Sequence, residues 1–194
     1  MTRLPDTALD QLFQTARSHP GFADRPVDAA VLHDLTRLAL LAPSGFNQQP
    51  LRMIYLTTPQ AKARLEPALS RGNHAKTMAA PVTAIVAWDI NFLDHMPIIW
   101  PQADVSAYYP TEDARRNSAR QNALIQAGAM IIAARALGLG CGPMAGFDRA
   151  AVQAEFLGGT GWEPAFLLNL GWPEADPATP RLPRLPFDAA ARIL

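Results

Sequence analysis

The chain has 194 residues and sets 17 Lys+Arg against 17 Asp+Glu, with 49% hydrophobic and 18% charged residues; that length and mixture suit one globular domain, assigned to 1–194, rather than a disordered chain. Zero net charge argues against a phosphate-backbone binder, so no nucleic-acid partner is expected, and the one cysteine, Cys141, excludes a disulfide framework and a cysteine-based zinc site. The opening Met1-Thr2-Arg3-Leu4-Pro5-Asp6 lacks the apolar region of a signal peptide, and the longest apolar stretch, 123–137, is broken by Gln126 and Arg135 and falls short of the roughly 20 residues a bilayer span needs, so a cytoplasmic protein with no membrane partner is expected.

Asp6 is placed to cap a helix running to about Arg17, with Leu9, Leu12 and Phe13 on one face, and Ser18-His19-Pro20-Gly21 stops it. Asp28 caps a second helix with Val31, Leu32, Leu35, Leu38 and Ala39 at helical spacing, ended by Pro43. A polar loop over 43–50 leads to a strand at 52–57. A short helix begins at Pro59 and breaks at Pro67, a turn falls at Ser70-Arg71-Gly72-Asn73, and a buried strand over 81–88 is built on Val82, Ile85 and Val86. The segment 89–110 shows no period and reads as an excursion. Thr111 then caps a long helix to about Leu137, with Glu112 and Asp113 where negative charge meets the helix dipole favourably. The glycine-rich stretch 138–146 reads as a loop. Asp148 caps another helix closed by Gly158-Gly159, a strand covers 165–170, and the Pro-rich arm 173–186 must lie along a surface. Helices with three or four strands make the fold class α+β.

No Walker A is possible, because neither Lys62 nor Lys76 follows a glycine, and no serine sits in Gly-x-Ser-x-Gly. His19, His33, His74 and His95 have no short ligand spacing, so no metal is expected. A relaxed dinucleotide fingerprint, Gly140-x-Gly142-x-x-Ala145, follows a helix rather than a strand and lacks its acidic partner. The remaining polar chemistry sits in loops: Arg17-Ser18-His19, 43–50, Gly72-Asn73-His74-Ala75-Lys76, 140–146, and Arg181 with Arg184 in the arm. Singly, each has a plain reading. Arg17 and His19 suit a helix carboxyl end, Asn73 a left-handed turn, and Cys141 a small buried hydrophobe. Jointly, they can converge on one flat, anionic, polar ligand.

Taken in order along the chain, these segments resemble the nitroreductase family of FMN-dependent oxidoreductases. The likeness is carried by Ala42-Pro43-Ser44-Gly45-Phe46-Asn47-Gln48-Gln49-Pro50, by 138–148, by Leu168-Asn169-Leu170-Gly171, and by the early Arg17-Ser18-His19 and late Arg184-Leu185-Pro186. Segments 80–89, 142–149 and 181–185 are similar to one branch, the malonic semialdehyde reductases, also called 3-hydroxypropanoate dehydrogenases. The resemblance implies a three-layer sandwich with a small, mostly antiparallel sheet flanked by helices, in an intertwined homodimer with tightly bound FMN at the interface. It implies ping-pong turnover with NADH or NADPH as hydride donor and a small-molecule acceptor.

By the same resemblance, Arg17 and Arg184 grip the phosphate, with Ser18, His19 and Arg181 beside them. Pro43, Ser44 and Gly45 reach the flavin from the other subunit. Asn73 binds the pyrimidine edge with Lys76 nearby, Pro143 and Met144 line one face, and the N–H groups of Ala145 and Gly146 point at N5. No side chain is cast as a catalytic group. Guanidinium forks match phosphate oxygens, and donors near the pyrimidine edge stabilise the charge that reduction places there. Trp100, Tyr108 and Tyr109 are candidates to lie over the ring. The sequence departs from the common pattern at Leu51, where many members carry an aromatic, and at Ala145, where many are acidic. Its Arg17-Ser18-His19, followed by Pro20-Gly21, is one residue shorter than the common form and lacks the extra basic contact found there. Malonic semialdehyde is the expected acceptor. A general nitroarene or quinone reductase, or a non-catalytic flavin-binding scaffold, are the alternatives.

Overall fold

The computed structural model describes residues 2–174 and 180–194. Four strands, β1 (Leu51–Leu56), β2 (Val82–Asp89), β3 (Gly140–Met144) and β4 (Trp162–Gly171), form one antiparallel sheet in the order β1-β2-β4-β3. β2 is buried at every position, as a central strand covered on both faces must be. Its Val82, Ala84, Val86 and Trp88 join one apolar cluster with Leu168 and Leu170, while Ile85 and Ala87 join a second with Leu167. This is the period of two expected of a strand.

The first cluster is closed by α2 (Ala29–Leu40), through Leu32, Leu35 and Ala39, and by α6 (Glu112–Ala136). On α6 the buried residues Ala119, Ala123, Ala127, Met130 and Ala134 make a stripe of mostly small side chains, which lets a long helix lie close to the sheet. Thr111 Oγ1 accepts from the Ala114 N–H at 3.1 Å, the cap expected there. The second cluster is closed by Leu65 of α3 (Pro59–Leu65) and by Val152 of α7 (Arg149–Val152), which continues as a π-helical turn, Gln153–Leu157. Asp148 caps α7, its carboxylate accepting from Ala150 and Ala151. Helix, sheet and helix therefore stack as three layers.

The structure corrects three local expectations. The first helix, α1 (Asp6–Leu9) with a π-helical turn (Asp10–Gln14), has Pro5 at its N-cap rather than Asp6, because a residue without an N–H loses nothing at that position. Ser70-Arg71-Gly72-Asn73 is not a turn but the start of α4 (Arg71–Ala79). Gly72 and Asn73 disfavour helix, yet tertiary contacts override them. The buried Lys62 Nζ donates to the carbonyls of Thr77 at 3.0 Å, Met78 at 3.4 Å and Ala80, closing the carboxyl end of α4. The stretch read as a loop at 138–146 contains the edge strand β3, where proline is tolerated. The described residues of the arm, 173–174 and 180–186, hold no helix or strand, and a short helix, α8 (Phe187–Ala190), follows it; the rest of the arm, 175–179, lies outside the described residues. The excursion holds α5 (Met96–Ile99) between 3-10 turns at Phe92–His95 and Ser106–Tyr108. Among the described residues no helix is long and apolar enough to cross a membrane.

Candidate functional site

The π-helical turn at Asp10–Gln14 winds more widely than an α-helix, and arginines fill the carbonyls at its carboxyl end. Arg17 Nη1 donates to Gln14 and Ala16 at 3.0 Å each. Arg181, arriving from the arm, donates through Nη2 to Gln14 and Ala16 at 2.9 Å each and to Phe13. Beyond the turn the backbone lies along the sheet edge. Ser18 bridges Cys141 in parallel, and the His19 N–H donates to the Cys141 carbonyl at 2.9 Å. Between turn and arm opens a cleft of about 700 Å³ lined by Arg17, Ser18, Arg135, Arg181 and Arg184.

None of these four guanidinium groups forms an ion pair among the described residues. Two of the three buried side-chain polar atoms without any partner there are Arg17 Nε and Arg135 Nε. A buried unmatched donor costs about 1–3 kcal/mol, and neighbouring like charges add to that cost; an anion in the cleft relieves both. Loss of hydration, then the fields of Arg17, Arg184 and Arg135, holds Arg181 below its ordinary pKa. The donor set fits the phosphate of FMN.

His19 packs its ring over Gly140, where a Cβ would come within 2.9 Å of the imidazole. Burial, followed by the charge of Arg135, holds its pKa below the usual histidine value, so the ring is neutral at pH 7. Burial likewise pushes the Cys141 thiol up to about 11, and it stays protonated as a core residue.

The second group gathers where β3 ends against α4, with Pro143 about 7 Å along the strand from Cys141. Asn73 Nδ2 donates to the Gly146 carbonyl at 2.9 Å, and the Ser70 N–H donates to the same oxygen at 3.2 Å. A Cβ on Gly146 would lie 2.7 Å from both Asn73 Nδ2 and Ser70 Oγ, so only glycine permits this approach. Pro143, Ala145 and Gly146 are exposed. Met144 turns inward, its sulfur 3.4 Å from Thr77 Oγ1, and presents only backbone to the surface. The Lys76 carbonyl is tied down by Asn169 Nδ2 at 3.2 Å, which orients the turn of α4 that carries Lys76.

The third group lies elsewhere. The Gly45 N–H donates to Asn122 Oδ1 at 2.8 Å, Ser44 Oγ accepts from the Gln49 N–H at 3.1 Å, and buried Gln48 donates to the Gly45 carbonyl at 3.0 Å. These bonds hold three non-glycine residues at positive φ, Phe46 at 50°, Asn47 at 56° and Gln49 at 42°. Strain of this kind costs about 1–3 kcal/mol per residue and clusters at functional sites. Trp100 and Tyr108 gather on Phe46, with centroids 5.7 Å and 5.2 Å away, whereas Tyr109 turns onto the buried Phe92. Asn122 and Arg135 both belong to α6 and are separated by about 20 Å of helix. One chain thus brings together Arg17, Ser18, His19, Arg181 and Arg184, and separately Asn73, Lys76, Pro143, Met144, Ala145 and Gly146 at the same sheet edge. It does not bring Pro43, Ser44 and Gly45 to them.

The model for the Nitroreductase family matches residues 14–172. The chain belongs to the nitroreductase family. A Burkholderia lata protein with the provisional name NADH dehydrogenase/NAD(P)H nitroreductase is 49% identical over 194 residues and the alignment covers 100% of both chains. A Stenotrophomonas maltophilia protein with the same provisional name is 47% identical over 191 residues, covering 98% of this chain and 97% of that one. A nitroreductase of Exiguobacterium sibiricum, solved in complex with FMN, shares the fold with a TM-score of 0.86 at 20% identity, covering 99% of each chain. This nitroreductase-family chain is therefore an oxidoreductase.

Sequence reasoning missed Arg135 and Asn169 as site residues. Arg135 was visible only as a break in an apolar run. Asn169 carried a usable signal, since an amide between Leu168 and Leu170 in a buried strand must find partners; it finds Thr83 Oγ1 at 2.8 Å as well as α4.

Proposed function

We propose that the chain is an FMN-dependent NAD(P)H oxidoreductase whose acceptor is malonic semialdehyde, reduced to 3-hydroxypropanoate in ping-pong turnover. The observation that carries the cofactor is the cleft in which Arg17, Arg181 and Arg184 converge without carboxylates and Arg17 leaves a buried Nε unmatched. When bound there, FMN supplies the two-electron carrier between NAD(P)H and the acceptor.

The chain's own groups then divide the work. Arg17, Arg181 and Arg184 hold the phosphate, with Ser18 at the edge of β3 and His19 packed behind it. Asn73 commits one amide N–H to Gly146, which leaves Oδ1 to accept from the pyrimidine edge, and Lys76 lies one turn further along α4. Pro143 and the backbone of Met144 form the floor. Phe147, Ser70 and Asn73 bond the carbonyls of Ala145 and Gly146, and the N–H groups of those two residues serve N5. The loop of Pro43, Ser44 and Gly45 is tied to Asn122, about 20 Å along α6 from Arg135 and the arginine cleft, which supports a homodimer in which each copy completes the other's site. Trp100 and Tyr108 travel with that loop and would cover the ring in the partner.

The acceptor rests on the likeness of 80–89, 142–149 and 181–185 to malonic semialdehyde reductases. The names of the relatives favour a second reading, a broader nitroarene or quinone reductase. The test is a visible spectrum of the purified chain before and after NADH or NADPH, followed by product analysis with malonic semialdehyde. A yellow protein bleached by the nucleotide and forming 3-hydroxypropanoate is expected. Turnover of nitroarenes alone selects the broader reading, a flavin that the nucleotide cannot reduce selects the non-catalytic scaffold, and colourless protein with no affinity for FMN overturns all three.

A further inference from the structure

We propose that Arg135, on the last turn of α6, is a phosphate-binding residue of the cofactor site and takes the place of the basic contact missing from the shortened Arg17-Ser18-His19 segment. The inference rests on the FMN reading above and assigns a residue to it that no motif singled out.

The geometry is specific. Arg135 lines the 700 Å³ cleft with Arg17, Arg181 and Arg184, where no carboxylate is present, and also a smaller cavity of about 380 Å³, shared with Arg17, His19, Gly140 and one carboxylate, Glu174. Its Nη1 donates to the Leu12 carbonyl at 2.9 Å, and its own carbonyl accepts from Gln11 Nε2 at 2.7 Å. The two contacts fix the last turn of α6 against the first helix and aim the guanidinium between turn and arm. Its Nε is buried with no acceptor, as is that of Arg17.

A plain helix-ending role explains less. A cation in a last turn does complement the helix dipole, but an exposed one does so equally well. Placing this cation beside Arg17, Arg181 and Arg184, with one donor buried and unmatched, raises the energy of the chain unless an anion enters. The extra basic contact of the common motif has no counterpart here, since Pro20 and Gly21 follow His19, neither with a charge. A guanidinium delivered from α6 restores the missing donor from a different element, and it does so with a planar fork suited to phosphate oxygens.

The experiment compares FMN with riboflavin, which has the same ring and no phosphate, by fluorescence titration of the flavin-stripped full chain. Two neutral variants are used: Arg135→Gln keeps a donor for Leu12, and Arg135→Met keeps the apolar stem. Loss of one charge-assisted contact should weaken FMN by about tenfold or more while leaving riboflavin affinity at the wild-type value. FMN affinity that holds, or falls only as far as riboflavin affinity, shows that Arg135 merely braces α6 and overturns the inference. A wild-type chain that binds neither flavin overturns the cofactor reading itself and this inference with it.

Discussion

His19 shows how a single side chain can sit inside a candidate binding segment and still be mainly structural. Its ring is stacked on Gly140 and lies 6.2 Å from Phe22, and burial together with Arg135 disfavours its charged form. The unfolded chain has an ordinary histidine pKa of about 6.5, so on acidification through that value the unfolded state takes up a proton that folded His19 refuses. Stability should therefore fall as pH drops below about 6.5 and recover above it. Urea unfolding of wild type and His19→Gln at pH 5.5 and 7.5 checks this: the wild-type midpoint should drop more at the lower pH, and equal drops would remove His19 as the cause. Position 62 teaches a related lesson. Lys62 has a pKa lowered by burial to about 8, yet three carbonyls accept hydrogen bonds from its Nζ, so a residue considered only for a missing phosphate motif is the clamp that ends α4.

At the level of elements, β3 is the piece on which the site depends, because it carries Ser18 and His19 along one flank and delivers Pro143 to Gly146 to the other group. Gly142 makes this possible: a Cβ there would stand 2.9 Å from the His19 carbonyl oxygen, which is backbone and cannot swing aside. Gly142→Ala should push the 17–19 segment off the sheet and lower FMN affinity by about tenfold or more, while costing about 1–3 kcal/mol of stability, the usual range for overpacking. Paired flavin titration and thermal melting measure the two; a variant that melts early but binds FMN normally would separate β3 from the site.

Elements with strong periodicity were legible beforehand. The apolar faces of α2 and α6, the side-chain caps Thr111 and Asp148, and the β-branched run of β2 all appear where the residue pattern puts them, while Asp28 stands at the N-cap position of α2 without a capping bond from its side chain. β3 was not, because two glycines and a proline in five residues deny strand propensity and the demand for them comes from His19 and Phe22, more than a hundred positions away. α4 was hidden for the same reason, its weak first turn being secured by Ser70 and its last by Lys62. The convergence of Arg17, Arg181 and Arg184 was legible only through the family likeness, and Arg135 not at all.

For the molecule as a whole, the decisive fact is that the Ser44 loop and the arginine cleft occupy distant parts of one chain. Exposed apolar side chains point the same way: Leu124 and Ile125 on α6, Leu182 and Leu185 on the arm, and Phe187 on α8 are all open to solvent, a pattern that marks association surfaces. Light scattering on the purified chain should give about twice the 21.0 kDa of one copy, and removal of 180–194 should shift it toward a single copy with loss of flavin. A wild-type monomer that retains FMN would refute completion of the site by a second chain.

The border of the sheet formed by β3 has one more effect. Pro143 brings no N–H to it, and Ser18 already occupies the position beside Cys141. A stray strand from a neighbouring molecule finds no open ladder to extend there, so the rim beside the candidate site is also closed to edge-to-edge growth of fibrous aggregates.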